Sequence, residues 1–249
     1  MTLKVVACKV LSREISLLIP QNPNFIDVTY LRQGLHDTPD ELRRVVQGQI
    51  DAIDDGSDMH SVERRSDGKE IDAIVLAYGL CSNGIQGIRS KKYPIVVPRA
   101  HDCITLLLGS KEKYDQFFNE FGGRAYWYTP GWIENSPMPS EEKYVLLKER
   151  YIEQFGEDNA EYLLEMELGW QKDYEHIAYI AWDGILQDGF VDFARSCAEY
   201  FNWNFRLFQG EDTLLRDMLS GNWDDERFLV VPPGDAIAPS FGVDILKSV

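Results

Sequence analysis

Apolar residues along the first half of the chain fall into short runs separated by polar turns, a pattern typical of buried strands alternating with helices. The β-branched run in LKVVACKVL predicts a first strand. Further strands are predicted at Phe25–Leu31, Ile71–Gly79 and Tyr93–Pro98. The first two strands are close in sequence, so we expect little room for a long crossover helix between them. A helix is predicted from Pro39 to about Ile53, because Thr38 can cap it.

The same alternation continues through the second half of the chain. A short helix is expected after the turn YGLCSNG, and a longer one, from about Ile104 to Phe121, after the turn RAHDC. The loop TPGWIENSPMPS precedes two acid-rich helices, predicted at Glu141–Phe155 and Asp158–Lys172. The remaining predicted elements are the strands AYWYT and HIAYIAW, a helix around Phe190–Phe201, the strand NFRLF, a helix from near Asp212 and the strand RFLVV.

This order of strands and helices predicts an α/β fold with Rossmann-like parallel sheets, in two lobes with a helical insertion. We expect residues 1–135 to form an N-terminal lobe that carries the candidate site. Residues 136–172 are expected to form a helical cap or insertion, and residues 173–249 a second, smaller α/β lobe.

The charge of the chain excludes some classes of partner. Acidic residues outnumber basic ones 41 to 25, giving a formal charge of −16, so nucleic acid and membrane surfaces are not expected partners. No apolar run has the length of about 18 residues that a membrane helix needs. The four cysteines are widely spaced and the N-terminal segment lacks the continuous apolar run of a signal peptide. We therefore expect reduced thiols and a cytoplasmic location.

Three of the cysteines fall at the ends of separate predicted strands. Cys8, Cys81 and Cys103 are expected to converge, because the carboxyl ends of parallel strands share one edge of a sheet. His101 lies two residues before Cys103, so the set has the Cys3His composition of zinc sites. The three thiolates alone could instead hold an iron–sulfur cluster with one open iron. A third interpretation is that each cysteine packs as a small apolar residue, which we expect for Cys197.

Other candidate residues surround this predicted site. The turn amides near Asn83 and Gly84 could receive a substrate carboxylate, although a tight turn also needs glycine. Arg99 could pair with an anionic small molecule or with one of the many acids. His36 could be an outer ligand or an acid/base, or lie exposed. Trp132 could wall a pocket over the strand ends or pack against its own loop.

The segments CKVLSRE, LHDTPDELR, AYGLCSNG, RAHDCITLLLGS and PGW together resemble domain-of-unknown-function family 1638, a family of bacterial and archaeal proteins. The resemblance implies an association with corrinoid-dependent methyltransferase systems and one-carbon metabolism. The His-x-Cys spacing is also similar to the zinc-ligand pattern of methylcobamide:thiol methyltransferases, which activate a thiol on zinc. The family's motifs fall on Cys8, Glu14, His36, Cys81, Asn83, Arg99, His101 and Cys103.

These observations leave three hypotheses. The first is an enzyme or accessory protein that binds zinc, or an iron–sulfur cluster, and serves corrinoid-linked methyl metabolism. In it Cys8, Cys81 and Cys103 are ligands, His101 is a fourth ligand or a proton carrier, and Arg99 orients an anionic substrate. The second is a non-catalytic module that captures a corrinoid, a metal or a methyltransferase partner. The third is a metal-free scaffold in which the cysteines only pack.

Overall fold

The computed structural model describes residues 1–58, 70–242 and 244–249. The chain divides into two compact units, which we call unit 1 (residues 1–114 and 210–249) and unit 2 (residues 115–209). Most of the loop predicted between Asp54 and Glu70 lies outside the described residues. No helix within the described ranges is long and apolar enough to cross a membrane.

Unit 1 contains a five-stranded sheet in the order β2-β1-β3-β4-β8. The first four strands are parallel and β8 runs antiparallel to β4. Every residue of β1 and of β3 is buried, as expected for central strands covered on both faces. The strands are β1 Thr2–Cys8, β2 Phe25–Leu31, β3 Ala73–Ala77, β4 Ile95–Pro98 and β8 Phe228–Val231.

Two helices of unit 1 connect successive parallel strands of its sheet. The helix α1 (Ser12–Leu18) lies between β1 and β2, with short 3-10 turns before and after it, so the connection holds a short helix where no long crossover helix was expected. Its seven residues are too few to show a helical period in the sequence. The helix α2 (Pro39–Asp55) begins at the predicted proline and ends at Gly56, whose backbone is left-handed.

Two predicted helices around the site differ from the structure. Residues 81–87 form turns where a short helix was expected after YGLCSNG; Cys81, Ser82 and Asn83 have positive φ, and Gly87, which ends the turns, has φ +82°. The helix predicted from Ile104 to Phe121 is divided at Gly109, which ends α3 with φ +88°. The two pieces are α3 Cys103–Leu108 and α4 Lys111–Phe121.

Unit 2 is built on a three-stranded parallel sheet in the order β5-β6-β7. Its core joins Tyr128 and Tyr179 from the sheet to Cys197 on α8. The second acid-rich helix is shorter than predicted, because Gly169–Asp173 forms a 3-10 turn. The elements are β5 Ala125–Tyr128, α5 Pro130–Asn135, α6 Glu141–Phe155, α7 Glu157–Glu167, β6 His176–Ala181, α8 Phe190–Phe201 and β7 Asn204–Gln209.

The C-terminal segment belongs to unit 1. It contributes α9 (Thr213–Ser220), the edge strand β8 and a two-stranded pair of β9 (Ile237–Pro239) with β10 (Leu246–Ser248). Of the predicted lobe 173–249, β6 and β7 therefore lie in unit 2, whereas β8 completes the sheet of unit 1. The α/β class with Rossmann-like parallel sheets is confirmed, and the antiparallel edge strand is an addition to it.

Candidate functional site

Three cysteines from separate elements meet at one edge of the unit 1 sheet. Cys8 is the last residue of β1, Cys81 lies in the turn after β3, and Cys103 is the first residue of α3, which follows β4. Because β1, β3 and β4 are adjacent and parallel, their carboxyl ends lie side by side. The exposed fractions of the three residues are 6%, 7% and 6%. The structure thus brings together three buried thiols.

Hydrogen bonds link these thiols. One joins the side chains of Cys8 and Cys103, and another joins those of Cys103 and Cys81, an arrangement that we call the thiol chain. Cys103 is its central member because it is hydrogen-bonded to both others.

The turn that carries Cys81 is held directly against the turn that carries Cys103. The Cys81 amide donates to the carbonyl oxygen of His101 at 2.9 Å. A Cβ atom on Gly79 would lie 2.5 Å from the backbone nitrogen and Cα of Asp102, so only glycine allows this approach. The glycine of the AYGLCSNG motif therefore sets the separation between Cys81 and Cys103.

The backbone at Cys81 is itself unusual. Cys81, Ser82 and Asn83 have φ values of 46°, 56° and 64°, in the left-handed region that non-glycine residues rarely adopt. Arg43 braces this turn by donating from Nη2 to the Asn83 carbonyl oxygen at 3.0 Å. Such strain persists only where the surroundings impose it, and it clusters at functional sites. Gly84 is buried here, and a Cβ on it would lie 2.5 Å from the Leu42 side chain.

The environment of the thiol chain keeps Cys8 and Cys103 protonated. The hydrogen bond with Cys103 is the largest of the effects that raise the pKa of Cys8, and burial adds to it. The hydrogen bond with Cys8 lowers the pKa of Cys103, but the hydrogen bond with Cys81, burial, and the charges of Cys81 and Asp102 together raise it well above its ordinary value. Reactive thiolates have lowered pKa values, so neither thiol is a ready nucleophile.

A buried tyrosine, to which the sequence pattern assigned no role, lies near the thiol chain. Tyr78 directly follows β3, and its phenol is close enough to Cys8, Cys81 and Cys103 for their charges to act on it. The Tyr78 side chain is 2% exposed, and its hydroxyl has no hydrogen-bond partner among the described residues. Burial raises the pKa of Tyr78 well above its ordinary value, and the charges of Cys8, Cys103 and Cys81 raise it further.

The residues just before Cys103 support the site through their backbone and the cap of α3. The Asp102 carboxylate accepts from the amides of Ile104 at 2.9 Å and Thr105 at 3.3 Å, and from the Tyr114 hydroxyl at 3.0 Å. Burial raises the pKa of Asp102 against the effect of these bonds. The His101 ring is exposed, with its centroid 6.4 Å from that of Tyr114. His101 thus contributes to the site through its carbonyl oxygen.

The chemistry of the thiol chain suits a soft metal ion, although its present arrangement is that of protonated thiols. Within residues 1–58, 70–242 and 244–249, no group of three or more His, Cys, Asp or Glu side chains is arranged so that it could hold a metal ion. The donor set of three cysteines is nevertheless the one that zinc and other soft cations prefer. The Tyr78 hydroxyl, which has no hydrogen-bond partner among the described residues, adds a buried polar group near these thiols.

The guanidinium of Arg99 is occupied by the C-terminal segment. Its Nε donates to the carbonyl oxygens of Asp225 at 2.8 Å and Phe228 at 3.2 Å, and its Nη1 donates to those of Asp244 at 2.8 Å and of Leu246. These bonds tie four points of the segment 225–246 to the end of β4. The contacts are those of a structural arginine.

The other predicted site residues are separate from the thiol chain. Asn83 is exposed in its turn. His36 is 45% exposed and pairs with Asp37 at 3.3 Å. Trp132 lies in unit 2, where it is half-buried against the core that contains Tyr128. Packing within its own unit is thus the interpretation of Trp132 that agrees with these contacts.

Comparison with known proteins identifies a family. No curated protein and no solved structure matches this chain. A family model with the description "Protein of unknown function (DUF1638)" matches residues 30–219, which is more than half of the chain. The matched range includes Cys81 and Cys103, whereas Cys8 lies before it. The chain therefore belongs to the DUF1638 family, as its motifs indicated.

Proposed function

We propose that the thiol chain is the binding site of a single zinc ion, with Cys8, Cys81 and Cys103 as ligands, and that the protein uses this ion on a small molecule. The observation that carries the proposal is the convergence of three buried thiols, from three separate elements, into mutual hydrogen bonding. One buried cysteine is ordinary packing, but three in contact require a common explanation.

The contact between the sulfurs favours one ion over a cluster. Zinc–sulfur bonds of about 2.3 Å in tetrahedral geometry place two ligand sulfurs about 3.8 Å apart, which is close to the separation of touching sulfur atoms. In a [4Fe–4S] cluster with one open iron, each of three cysteines binds a different iron, so the cysteine sulfurs lie farther apart. The thiols must release protons and turn about their Cα–Cβ bonds to surround the ion, and such rotations between staggered positions are small changes.

Gly79 and Asp102 each help to position the cysteines of this site. Gly79 allows the two cysteine-bearing turns to touch, and the Asp102 cap holds the start of α3, where Cys103 lies. Three protein ligands leave a fourth position for a small molecule, as in catalytic zinc sites. Zinc bound there would act as a Lewis acid and lower the pKa of a thiol or water that it binds.

Alternative uses of the thiols are less well supported. A dithiol that exchanges disulfides needs a thiolate of lowered pKa, whereas the pKa values of Cys8 and Cys103 are raised. The role in corrinoid-linked methyl metabolism, with a corrinoid protein or methyltransferase as partner, stays a prediction from the family resemblance. A bound corrinoid likewise stays a prediction from the resemblance, and an iron–sulfur cluster stays a prediction from the three cysteines.

Metal content tests the proposal. Protein purified without oxygen and with a phosphine reductant should contain about one zinc per chain by elemental analysis, after addition of zinc salt and removal of the excess. Separate Cys8→Ser, Cys81→Ser and Cys103→Ser variants should each lose most of it. Cys197→Ser is the matched control, because Cys197 is equally buried but lies on α8 in unit 2.

Two results would contradict the proposal. One is wild-type protein that binds no zinc. The other is a full zinc content in the Cys81→Ser and Cys103→Ser variants. Circular dichroism of each variant, compared with wild type, separates loss of a ligand from loss of the fold. Strong absorption in the visible range from a brown iron-containing protein would favour a cluster over zinc.

A further inference from the structure

We infer that the groove between α6 and α7 in unit 2 is a docking site for a positively charged amphipathic helix of a partner protein. The inference goes beyond the proposed function, because every residue that carries it belongs to unit 2 and none belongs to the thiol chain. It assigns an interaction surface and the chemistry of the partner that fits it.

The first step is the concentration of exposed apolar side chains on these two helices. The helices α6 and α7 have only 15 and 11 residues, yet they carry six of the fifteen large apolar side chains that are exposed within the described part of the chain. Soluble proteins rarely leave such side chains together at the surface unless they bind something there. The six are Val145, Leu146, Ile152, Phe155, Tyr162 and Met166.

The second step is the shape of this surface. Residues of both helices line a cavity of about 460 Å³, which we call the α6–α7 groove. Phe155 and Tyr162 are 50% and 64% exposed, so their rings line the groove and remain open to solvent. An apolar side chain of a partner could therefore enter the groove and bury both rings. The lining residues are Tyr151, Phe155, Asn159, Tyr162 and Leu163.

Contacts between the two helices hold the groove open before any partner binds. The Tyr151 hydroxyl donates to the Glu167 carboxylate at 3.2 Å, and Lys148 pairs with Glu161 at 3.7 Å. Because these contacts already join α6 to α7, little ordering is required when a partner docks, and preorganisation of this kind favours affinity.

The third step is the helical spacing of the apolar side chains on α7. Tyr162, Leu163 and Met166 follow Asn159 at intervals of three, four and seven residues, so the four share one face of α7. A helix of 11 residues is about 16 Å long, which is the length of three turns of a second helix laid along it. Amphipathic helices bind such grooves through apolar side chains at the same spacing.

The fourth step is charge, which determines the sign of the partner. Residues 141–167 contain nine acidic and three basic residues, a formal charge of −6. Asp158, Glu161 and Glu165 form an exposed stripe beside that of Tyr162, because they are spaced by three and four residues. In a symmetric dimer a second copy of this chain would bring the same negative surface against it, which is unfavourable. Lysine or arginine beside the apolar face of a partner helix complements this charge.

A designed peptide provides the test. The probe is a fluorescein-labelled peptide of about 14 leucine and lysine residues, ordered so that leucine forms one face of a helix. Fluorescence anisotropy at physiological salt should show saturable binding to the wild-type protein. A peptide of the same composition without an apolar face, and one with glutamate in place of lysine, should each bind at least about tenfold more weakly. The first comparison removes the apolar face at constant charge, and the second reverses the charge at constant pattern.

Variants of the groove locate the binding. Phe155→Ser and Tyr162→Ser should each weaken binding of the leucine–lysine peptide about tenfold, because each removes an aromatic ring from the groove. Both side chains are exposed, so thermal unfolding of the variants should match that of wild type. Leu186→Ser is the matched control, since Leu186 is 63% exposed in unit 2 but lies between β6 and α8, and it should leave binding unchanged.

Three results would overturn the inference. One is equal binding of the three peptides, and another is unchanged binding by both groove variants. The third is a wild-type dimer in sedimentation that Tyr162→Ser converts to monomers, which would show that a second copy of the chain occupies the groove. Metal content, which tests the proposed function, is independent of all three results.

Discussion

Each unit of the molecule contains a buried tyrosine beside buried cysteine, at the carboxyl end of a parallel strand. In unit 1, Tyr78 follows β3 and lies beside the thiol chain. In unit 2, Tyr128 ends β5 and contacts Cys197. Both tyrosines are at most 2% exposed. They differ in their hydroxyls, because that of Tyr128 donates to the Pro139 carbonyl oxygen at 2.6 Å whereas that of Tyr78 has no partner among the described residues.

This difference separates a packed core from a candidate site. Burial raises the pKa of Cys197 to about 11, and hydrogen bonds with Tyr128 and Ser196 act against the rise. Every polar group of that arrangement thus has a neighbour within unit 2. In unit 1 the thiols are hydrogen-bonded to one another, and the Tyr78 hydroxyl has no partner among the residues that the structure describes. Buried tyrosine and cysteine occur together in both units, so burial alone does not distinguish a site from a core. The Tyr78 hydroxyl, which has no partner among the described residues, is the feature that distinguishes unit 1.

The largest effect is expected where two backbones touch. Gly79→Ala would place a Cβ 2.5 Å from the Asp102 backbone, which cannot move without separating the turns of Cys81 and Cys103. We expect the free energy of unfolding to fall by about 3 kcal/mol, with loss of zinc binding. Gly169→Ala in unit 2 is the control, since no atom lies within 4 Å of its Cβ position. Urea denaturation of both variants measures the difference, and equal midpoints would show that the close approach is unimportant.

The affinity for zinc should depend on pH. The pKa values of Cys8 and Cys103 are raised, so both are protonated at neutral pH, and zinc must displace these protons. With at least two protons released, zinc affinity should fall about 100-fold for each pH unit below neutrality, roughly 2.7 kcal/mol. Chelator competition at several pH values measures this slope. Cys197→Ser should keep the same slope, and an affinity independent of pH would argue against thiol ligands.

A smaller effect on stability is expected from replacing one arginine in each unit. Arg99→Gln removes charge-assisted bonds to four carbonyl oxygens of the segment 225–246 and should cost about 2 kcal/mol of stability. Arg124→Gln in unit 2 removes a half-exposed ion pair with Glu175 and should cost less than about 1 kcal/mol. Thermal unfolding compares the two variants. If Arg99→Gln left stability unchanged but weakened an anionic ligand, the arginine would be a binding residue instead.

The smallest effects on stability are expected from removing either tyrosine hydroxyl in the metal-free protein. Tyr128→Phe leaves the Pro139 carbonyl oxygen without its donor and should destabilise the protein by about 1 kcal/mol. Tyr78→Phe removes a hydroxyl without a partner among the described residues, so stability should be unchanged or slightly higher. Chemical denaturation of both variants gives the comparison. A loss of stability in Tyr78→Phe equal to that in Tyr128→Phe would mean that the Tyr78 hydroxyl is satisfied without a ligand.

Part of the site could be predicted because its signals are local. The apolar runs of β1, β3 and β4 mark central parallel strands, and Cys8, Cys81 and Cys103 lie at or just after their ends. The rule that such ends share one edge of the sheet was enough to place the three together. The helix α1 was missed because seven residues give too short a pattern to distinguish a helix from a loop.

The sequence by itself determined the α/β class, the parallel strands and the meeting of three cysteines, because hydrophobic period and strand ends are properties of neighbouring residues. Only the tertiary structure decided how the remaining polar groups are used. The carbonyl oxygens that occupy Arg99 lie 126 to 147 residues away in the chain. Whether the Tyr78 hydroxyl has a partner likewise depends on every element packed around it. Hydrogen-bond partners that are distant in sequence leave no local pattern, so their presence or absence appears only in the folded protein.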